Sequence, residues 1–295
     1  MFKQLIVSLL LGLSLFANEV TPEVIEPVEV GTNMEQTVPS QDLLHDKIKN
    51  LIGEEEYNTH KNLINFIFKN RQNYQYSESL NFISIIKKLQ ENGLLKLGFD
   101  TPQEMLIEFH INNNPMKSLK ILKDTLKSLG YYYYFTKNTQ FDGNSSLIWT
   151  IKLKTEAAID PLVLSNELLK KDCRMVDISK EGNKWSYAID TNFANLKDAT
   201  YVTNNERVAF KKPLKPYFVK VDPASTLYVA SRVLNKWFPN IVFYDKHLNI
   251  LKVVNEDKVH RNIKLPMPEN TKYIKISDLY TLINIKRGLS VHIKE

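Results

Sequence analysis

An acid and an imidazole, the pair that proton-transfer chemistry uses, stand close together at Asp245 and His247, within Tyr244-Asp245-Lys246-His247. General acid–base catalysis needs both groups within hydrogen-bond reach of one substrate. The sequence fixes no second carboxylate beside this pair, however. We therefore interpret the stretch as a polar turn that follows a buried strand.

The other groups that could attack a substrate or bind a metal are scattered. Six histidines and a single cysteine, Cys173, lack the spacing of metal ligands, and no motif of a catalytic nucleophile occurs. Nine glycines without a run exclude the Rossmann and P-loop classes of nucleotide site. Cys173 is expected to be a small buried hydrophobe at the start of a strand. We predict no catalytic residue, no cofactor and no metal, so the protein is expected not to be an enzyme.

Four consecutive tyrosines, 131–134, are a second conspicuous feature. In a strand they would point alternately to the two faces, so that one pair lies away from the covering helices. An exposed pair could stack on a sugar or anchor a protein. The alternative, which we favour, is that a helical unit covers that second face.

The charge of the chain is unevenly distributed. Residues 18–42 hold six acids and no base, and Lys3 is the one charged residue before them. Residues 43–295 therefore hold 38 basic and 27 acidic residues, a net charge of +11. A basic body favours anionic partners, although excess lysine can also serve solubility alone. We predict contact with an envelope protein or an anionic glycan through five basic residues: Arg207, Lys211, Lys212, Lys215 and Lys220.

The N-terminal pattern predicts export. Residues 1–17 combine Lys3 with a twelve-residue apolar run, which is typical of a signal peptide and short of the ~20 residues that span a membrane. We expect cleavage after Ala17, an acidic Pro/Glu/Val linker at 18–40, and a periplasmic or secreted protein without stable membrane insertion. Export argues against a nucleic-acid partner.

Hydrophobic spacing divides the rest into three parts of an α+β protein. Helical patterns starting at Ser40, at Glu54 and at Ser77 predict a small helical unit at 41–98. Residues 99–206 read as βαββαβ, the order of a ferredoxin-like domain, with one further strand. Residues 207–295 start with a basic connector and continue as an antiparallel β-sandwich, in which 226–237 fit a helix or a strand equally well.

Two aromatic residues of the last part, Trp237 and Tyr273, follow or lie within apolar alternation. We predict that both pack in the core of the sandwich instead of forming a platform for a sugar.

The strands Ile241-Val242-Phe243-Tyr244-Asp245 and Thr271-Lys272-Tyr273-Ile274-Lys275-Ile276, with Leu265-Pro266 between them, resemble those of jelly-roll, carbohydrate-binding-type sandwiches. The resemblance covers about 80 residues. It implies sugar binding through loop aromatics and calcium, but no loop here carries a cluster of Asp, so neither property is assigned to particular residues.

The Lys-, Asn- and Ile-rich composition and the Leu-Phe-Ala-Asn-Glu stretch resemble those of secreted proteins of the Campylobacterota, some of which are associated with flagellar motility. The resemblance implies a non-enzymatic adaptor or scaffold that binds proteins around the motility apparatus. A glycan-binding module for peptidoglycan or polysaccharide is the alternative hypothesis, and an envelope hydrolase is the third.

Overall fold

The computed structural model of the protein describes residues 42–77, 79–141 and 146–295. The expected signal peptide at 1–17 and the linker at 18–40 lie outside the described residues. Within them the predicted α+β class is confirmed: sheets outweigh helices, and the C-terminal part is a sandwich of two sheets.

Four helices and a short hairpin come first. The carboxylate of Asp42 accepts a hydrogen bond from the backbone N–H of His45, so Asp42 caps the first helix where Ser40 was expected to do so. Gly53, with a φ of 94°, ends that helix. The elements are α1 (Leu43–Ile52), α2 (Glu54–Thr59), α3 (Lys61–Ile67), β1 (Gln75–Tyr76), β2 (Ser79–Leu80) and α4 (Phe82–Glu91).

Helix α4 begins later than the predicted start at Ser77. Ser77 lies in the turn between β1 and β2 with a positive φ of 53°, which a helix cannot accommodate. The cap is Asn81, whose side-chain oxygen accepts from the backbone N–H of Ser84 at 3.1 Å. The polar residues before the apolar stripe therefore form a hairpin and not the first helical turn.

The middle of the chain follows the predicted βαββαβ order with its one further strand. The elements are β3 (Gly98–Asn112), α5 (Pro115–Ser128), β4 (Phe135–Phe141), β5 (Ser146–Ala157), α6 (Pro161–Leu169), β6 (Arg174–Glu181) and β7 (Lys184–Asp190). Their sheet has the order β4-β5-β3-β7-β6, in which β7 is parallel to β3 and all other neighbours are antiparallel. The further strand β7 thus lies beside β3 and leaves β6 at the edge.

The four tyrosines at 131–134 precede strand β4, so the prediction that they start a strand is wrong. Helix α5 ends in a turn at Gly130, where the N–H of Tyr131 donates to the carbonyl of Leu126 at 2.9 Å. Because the backbone of Tyr131 closes the helix, it is unavailable for strand pairing, which begins at Phe135. Tyr132 and Tyr133 are exposed, whereas the other two are half-buried.

Alternate apolar residues of β3, β5 and β7 face α5 and α6 and form the core of this part. Helix α1 contacts the edge strand β6, helix α4 contacts both α6 and β6, and the apolar residues of both helices belong to the same continuous cluster. Side chains of α1 also cover the edge of β6: Asn50 exchanges two hydrogen bonds with the backbone of Lys180, and the ammonium group of Lys47 donates to the carbonyl of Ile178. The predicted helical unit is therefore an extension of the helical layer.

Nine strands form the C-terminal sandwich. They are β8 (Thr200–Val202), β9 (Arg207–Ala209), β10 (Tyr217–Val221), β11 (Thr226–Ser231), β12 (Pro239–Tyr244), β13 (Ile250–Asn255), β14 (Asn262–Pro266), β15 (Tyr273–Asp278) and β16 (Leu289–Lys294). One sheet has the order β13-β12-β15-β10-β8 and the other β14-β11-β16-β9, antiparallel except for the edge pair β8–β10. The ambiguous segment at 226–237 contains a strand, β11.

The predicted boundary at 207 is one strand too late. Strand β8 already pairs with β10, and Val202 is buried in the sandwich core with Val219 and Val221. The basic connector at 207–220 is likewise part of the sandwich, because it contains β9, most of β10 and the loop between them. Proline and lysine made this segment resemble a linker, although Tyr217 and Val219 within it are buried in the sandwich core.

The two aromatic residues predicted for the sandwich core occupy different places. Trp237 is fully buried between the sheets, and its indole N–H donates to the carbonyl of Ser277 at 2.9 Å, which confirms the prediction. Tyr273 is also buried, but it belongs to the cluster of the α+β part and stacks on Phe218 with ring centroids 5.5 Å apart. Its placement in the sandwich core was wrong.

The stacked pair of Phe218 and Tyr273 joins the sandwich to the α+β part. Tyr244 packs beside Phe218, and the ammonium group of Lys120 on α5 lies 5.2 Å from the centroid of the Phe218 ring. The described residues, 42–77, 79–141 and 146–295, belong to one compact unit. Among the described helices, none has the length and apolar character needed to cross a membrane.

Candidate functional site

The five basic residues predicted to contact a partner lie in three places. Arg207 is on β9 of the four-stranded sheet, opposite His292. Lys211, Lys212 and Lys215 share the loop between β9 and β10, and all three are exposed. Lys220 is half-buried on β10 in the other sheet, about 10 Å along the strand from its first residue, Tyr217, at 3.3 Å per residue.

The loop at residues 210–216, which we call the basic loop, is fixed at both ends. At one end, the N–H of Phe210 donates to the carbonyl of Leu289 at 2.8 Å. At the other, the phenol of Tyr217 donates to the carbonyl of Lys211 at 2.5 Å, and its ring packs 4.8 Å from that of Phe210. Pro213, within the loop, is buried. Its conformation is therefore formed before any partner arrives.

A glycine allows the loop to lie this close to the sheet. Gly288 has a φ of 89°, and a Cβ atom there would lie 2.0 Å from the carbonyl oxygen of Phe210. No other residue would fit without moving the loop backbone.

The tip of the basic loop is apolar. Leu214 is 93% exposed, and lysines stand on both sides of it in the sequence Lys211-Lys212-Pro213-Leu214-Lys215. The ammonium group of Lys215 lies 3.4 Å from the carboxylate of Asp198, an exposed pair that contributes little to stability. The loop thus presents one leucine surrounded by positive charge.

Three adjoining clefts lie near the junction of the α+β part and the sandwich. The central cleft has a volume of about 870 Å³ and contains Asp245, His247 and Lys272. His247 also lines a second cleft of about 390 Å³, and Lys272 lines a third of about 340 Å³. The clefts differ in chemistry, because amides line the second and lysines line the third.

The second cleft, which we call the amide cleft, brings together residues from distant parts of the chain: Asn113, Asn114, Phe141, Asn192, His247 and Asn249. Asn113 donates a hydrogen bond to Asn192, and a ring nitrogen of His247 contacts the side-chain oxygen of Asn114. Phe141 is exposed at its margin.

The backbone of the amide cleft is held in an unusual conformation. Asn113 and Asn114 both have positive φ, at 70° and 47°, and the hydroxyl of buried Thr191 donates to the carbonyl of Asn113 at 2.8 Å. Asn114 directly precedes α5, which starts at Pro115, but the side chain of Asn114 makes no capping bond and turns to His247 instead.

The third cleft, which we call the lysine cleft, is lined by Lys197, Tyr201, Lys220, Asp222 and Lys272. Residues 195–199 form one wall, and strands β8 and β10 form another.

Asp245 and His247 do not form a catalytic pair in the structure. The carboxylate of Asp245 accepts three hydrogen bonds of 2.8 Å, from the N–H groups of His247 and Asn249 and from the side chain of Asn249. Burial alone would raise the pKa of Asp245, but these hydrogen bonds outweigh it and lower the pKa. The stretch is the polar turn that its sequence indicates.

Cys173 is buried just before β6. Burial raises the pKa of its thiol to about 11, against the opposing charges of Lys117 and Lys171. A thiol of that pKa is almost entirely protonated at neutral pH, so it is a poor nucleophile.

One pair of titratable residues that the structure brings together was not identified from the sequence. Glu108 and His110, two apart on β3, lie 2.8 Å from each other, and Lys184 lies 3.7 Å from the same carboxylate. Burial would raise the pKa of Glu108, but His110 and Lys184 outweigh it and lower the pKa. The alternation of β3 could have indicated this pair, because residues two apart share one face of a strand.

Among the described residues, no group of three or more His, Cys, Asp and Glu side chains could hold a metal ion. Comparison with protein-family models gives no match, and comparison with curated proteins gives none either.

Proposed function

We propose that this chain is a non-enzymatic adaptor or scaffold of the cell envelope that binds another protein through the basic loop. The observation that carries the proposal is Leu214, 93% exposed at the tip of a fixed loop with three exposed lysines. A preformed loop loses little conformational entropy on binding, so more of the contact energy remains as affinity.

The partner that fits this loop is an acidic protein surface with an apolar pocket. Leu214 would fill the pocket, and the lysines would lie against surrounding carboxylates. Rim charges of this kind accelerate association and make it dependent on salt, whereas the buried leucine slows dissociation. The resemblance to motility-associated secreted proteins makes the flagellar apparatus the first place to look for the partner.

The proposed location is the periplasm or the exterior of the cell. Its support is the sequence of residues 1–17, a positive start followed by a short apolar run. Mass spectrometry of the protein isolated from cells should find Asn18 at the N-terminus. An intact Met1 on the isolated protein would contradict the proposed export.

The proposal is tested by immobilising the wild-type protein and two loop variants and comparing the envelope proteins that each recovers. The variants are K211E/K212E/K215E, which reverses the charge, and Leu214→Ser, which removes the apolar tip. The matched control is K246E/K258E/K286E, which reverses three exposed lysines elsewhere. We expect one specific partner to be lost from both loop variants and retained by the control.

Salt and stability distinguish contact from misfolding. Recovery by the wild type should fall with rising salt, and the charge-reversed variant should lose this dependence while its melting temperature stays close to that of the wild type. Equal recovery by wild type and both loop variants would eliminate the basic loop as the contact site.

The amide cleft supports glycan binding as a second candidate function. Amide side chains offer both donors and acceptors to hydroxyl groups, and an exposed aromatic ring can pack on a sugar face. The amide cleft contains four asparagines with Phe141 at its margin, and the resemblance of the sandwich to carbohydrate-binding types agrees with this reading.

The test of the second candidate is sedimentation with purified peptidoglycan. Phe141→Ala and Asn249→Ala should reduce the sedimented fraction, whereas Phe135→Ala, an exposed aromatic at the other end of β4, should not. Equal sedimentation of all four proteins would remove the amide cleft from consideration, and release of soluble fragments by the wild type would instead indicate the hydrolase.

A further inference from the structure

We propose that the lysine cleft is a binding site for the phosphate or carboxylate group of a small anionic ligand. The site is separate from the basic loop and from the amide cleft, so it stands independently of both proposed functions. Three lysines line it, and a single carboxylate, that of Asp222, is among its described lining residues.

Existing ion pairs leave one of these lysines without a counter-ion. Lys272 lies 3.8 Å from Asp222, which also accepts a hydrogen bond from the phenol of Tyr201. Lys197 lies 3.0 Å from Asp172. Across the described ranges, no carboxylate lies within 4.0 Å of the ammonium group of Lys220.

A second unpaired cation stands near Lys220. Lys117 on α5 is half-buried, and among the residues described it has no carboxylate at ion-pair distance. Burial lowers the pKa of Lys117, and the positive charge of Lys220 lowers it further. Two partly desolvated ammonium groups repel each other, so an anion bound at Lys220 would offset this unfavourable interaction.

The fold holds Lys220 in place at the cleft. It lies directly opposite Tyr201 in the parallel pairing of β10 with β8, and Phe218, on the same face two residues earlier, is packed against the α+β part. The phenol of Tyr201 donates its one proton to Asp222, so the lysines are the donors for a bound anion. A volume of about 340 Å³ is at the lower end of ligand sites, enough for one anionic group on one sugar-sized unit.

The first measurement is the melting temperature in inorganic phosphate and in sodium chloride of matched ionic strength. We expect phosphate to stabilise the wild-type protein beyond the chloride control, because a ligand that binds the folded state stabilises it. Lys220→Met keeps the apolar stem and removes the charge; it should weaken phosphate binding on the order of tenfold, the equivalent of one charge-assisted hydrogen bond. Lys246→Met, outside the cleft, should bind as the wild type does.

A second measurement uses the unchanged protein. Acetic anhydride labels accessible lysines, and phosphate should protect Lys220 and Lys272 from acetylation while leaving Lys246 unprotected. Glucose 6-phosphate and glucuronate, compared with neutral glucose, identify which anionic group is preferred. Equal phosphate affinity of the wild type and Lys220→Met, or labelling of Lys220 unchanged by phosphate, would overturn the assignment.

Discussion

The phenol of Tyr217 donates a hydrogen bond of 2.5 Å to the carbonyl oxygen of Lys211 and so closes the basic loop on itself. The two residues are six apart, at the beginning of the loop and at the first position of β10. Since the bond joins a buried ring to the backbone of an exposed residue, it transmits the rigidity of the sheet to the proposed contact surface.

Removing this bond should loosen the loop with little effect on the fold. Tyr217→Phe keeps the ring that packs on Phe210 and should cost about 1 kcal/mol of unfolding free energy. Amide hydrogen exchange should increase at residues 211–215. Binding of the partner should weaken through the cost of ordering the loop. Unchanged exchange in this segment would mean that the phenol does not hold the loop.

The phenol of Tyr217 should also make the stability of the protein depend on pH in the alkaline range. Burial raises the pKa of Tyr217 to about 12, above the value of about 10 in the unfolded chain. The unfolded state therefore loses this proton first, and stability falls as the pH rises from about 10 towards 12. Urea denaturation over this range should show a smaller loss for Tyr217→Phe than for the wild type. Equal losses of stability in the wild type and Tyr217→Phe would mean that other tyrosines cause the effect.

Trp237 should be among the costliest residues to truncate. Trp237→Ala leaves a cavity between the two sheets and should reduce the free energy of unfolding by ~3–5 kcal/mol. Trp237→Phe retains most of the packing and loses the hydrogen bond to Ser277, so its cost should be clearly smaller. Chemical denaturation of both variants provides the measurement, and a Trp237→Ala protein as stable as the wild type would contradict the core assignment.

Asp278 should be a second determinant of sandwich stability. Its buried carboxylate accepts four hydrogen bonds, from the backbone N–H groups of Phe238, Tyr280 and Thr281 and from the side chain of Asn284. Asp278→Ala leaves these donors unpaired and should cost about 3 kcal/mol or more. Asp278→Asn, which keeps one acceptor, should cost about half as much by urea denaturation. Equal costs for the two variants would argue against this account.

Cys173 should resist thiol reagents in the folded protein. With a pKa of about 11, few of its thiols are thiolates at pH 8, and the side chain is buried. Reaction with Ellman's reagent should therefore be slow until urea unfolds the chain. Rapid reaction of the native protein would show that the thiol is accessible and activated.

Alternating apolar residues were sufficient to predict most strands and the chain order of the middle part. The sheet order was not predictable in this way, because β7 reads as an ordinary strand whether it lies beside β3 or at the edge. The strand predicted at tyrosines 131–134 was wrong for a different reason. Tyrosine has a high β propensity, but the backbone of Tyr131 is used to end α5.

The clefts could not be predicted from sequence patterns. Asn113, Asn192 and Asn249 are more than 50 residues apart from one another, and each reads as an ordinary loop residue. Lys220 was selected as part of a basic segment, yet the pleat of β10 turns it away from the basic loop and towards Lys117. The positions of these side chains depend on packing between distant parts of the chain, which a local sequence pattern does not predict.

The covering of strand β6 by Lys47 and Asn50 also bears on self-association. An uncovered edge strand is a template on which a second chain can add a strand, and this is a common start of aggregation. Because the cover consists of side chains on α1, loss of that one helix would expose the backbone of residues 178–180 even if the sheet itself remained folded. Helix α1 therefore keeps this edge of the protein from recruiting further copies.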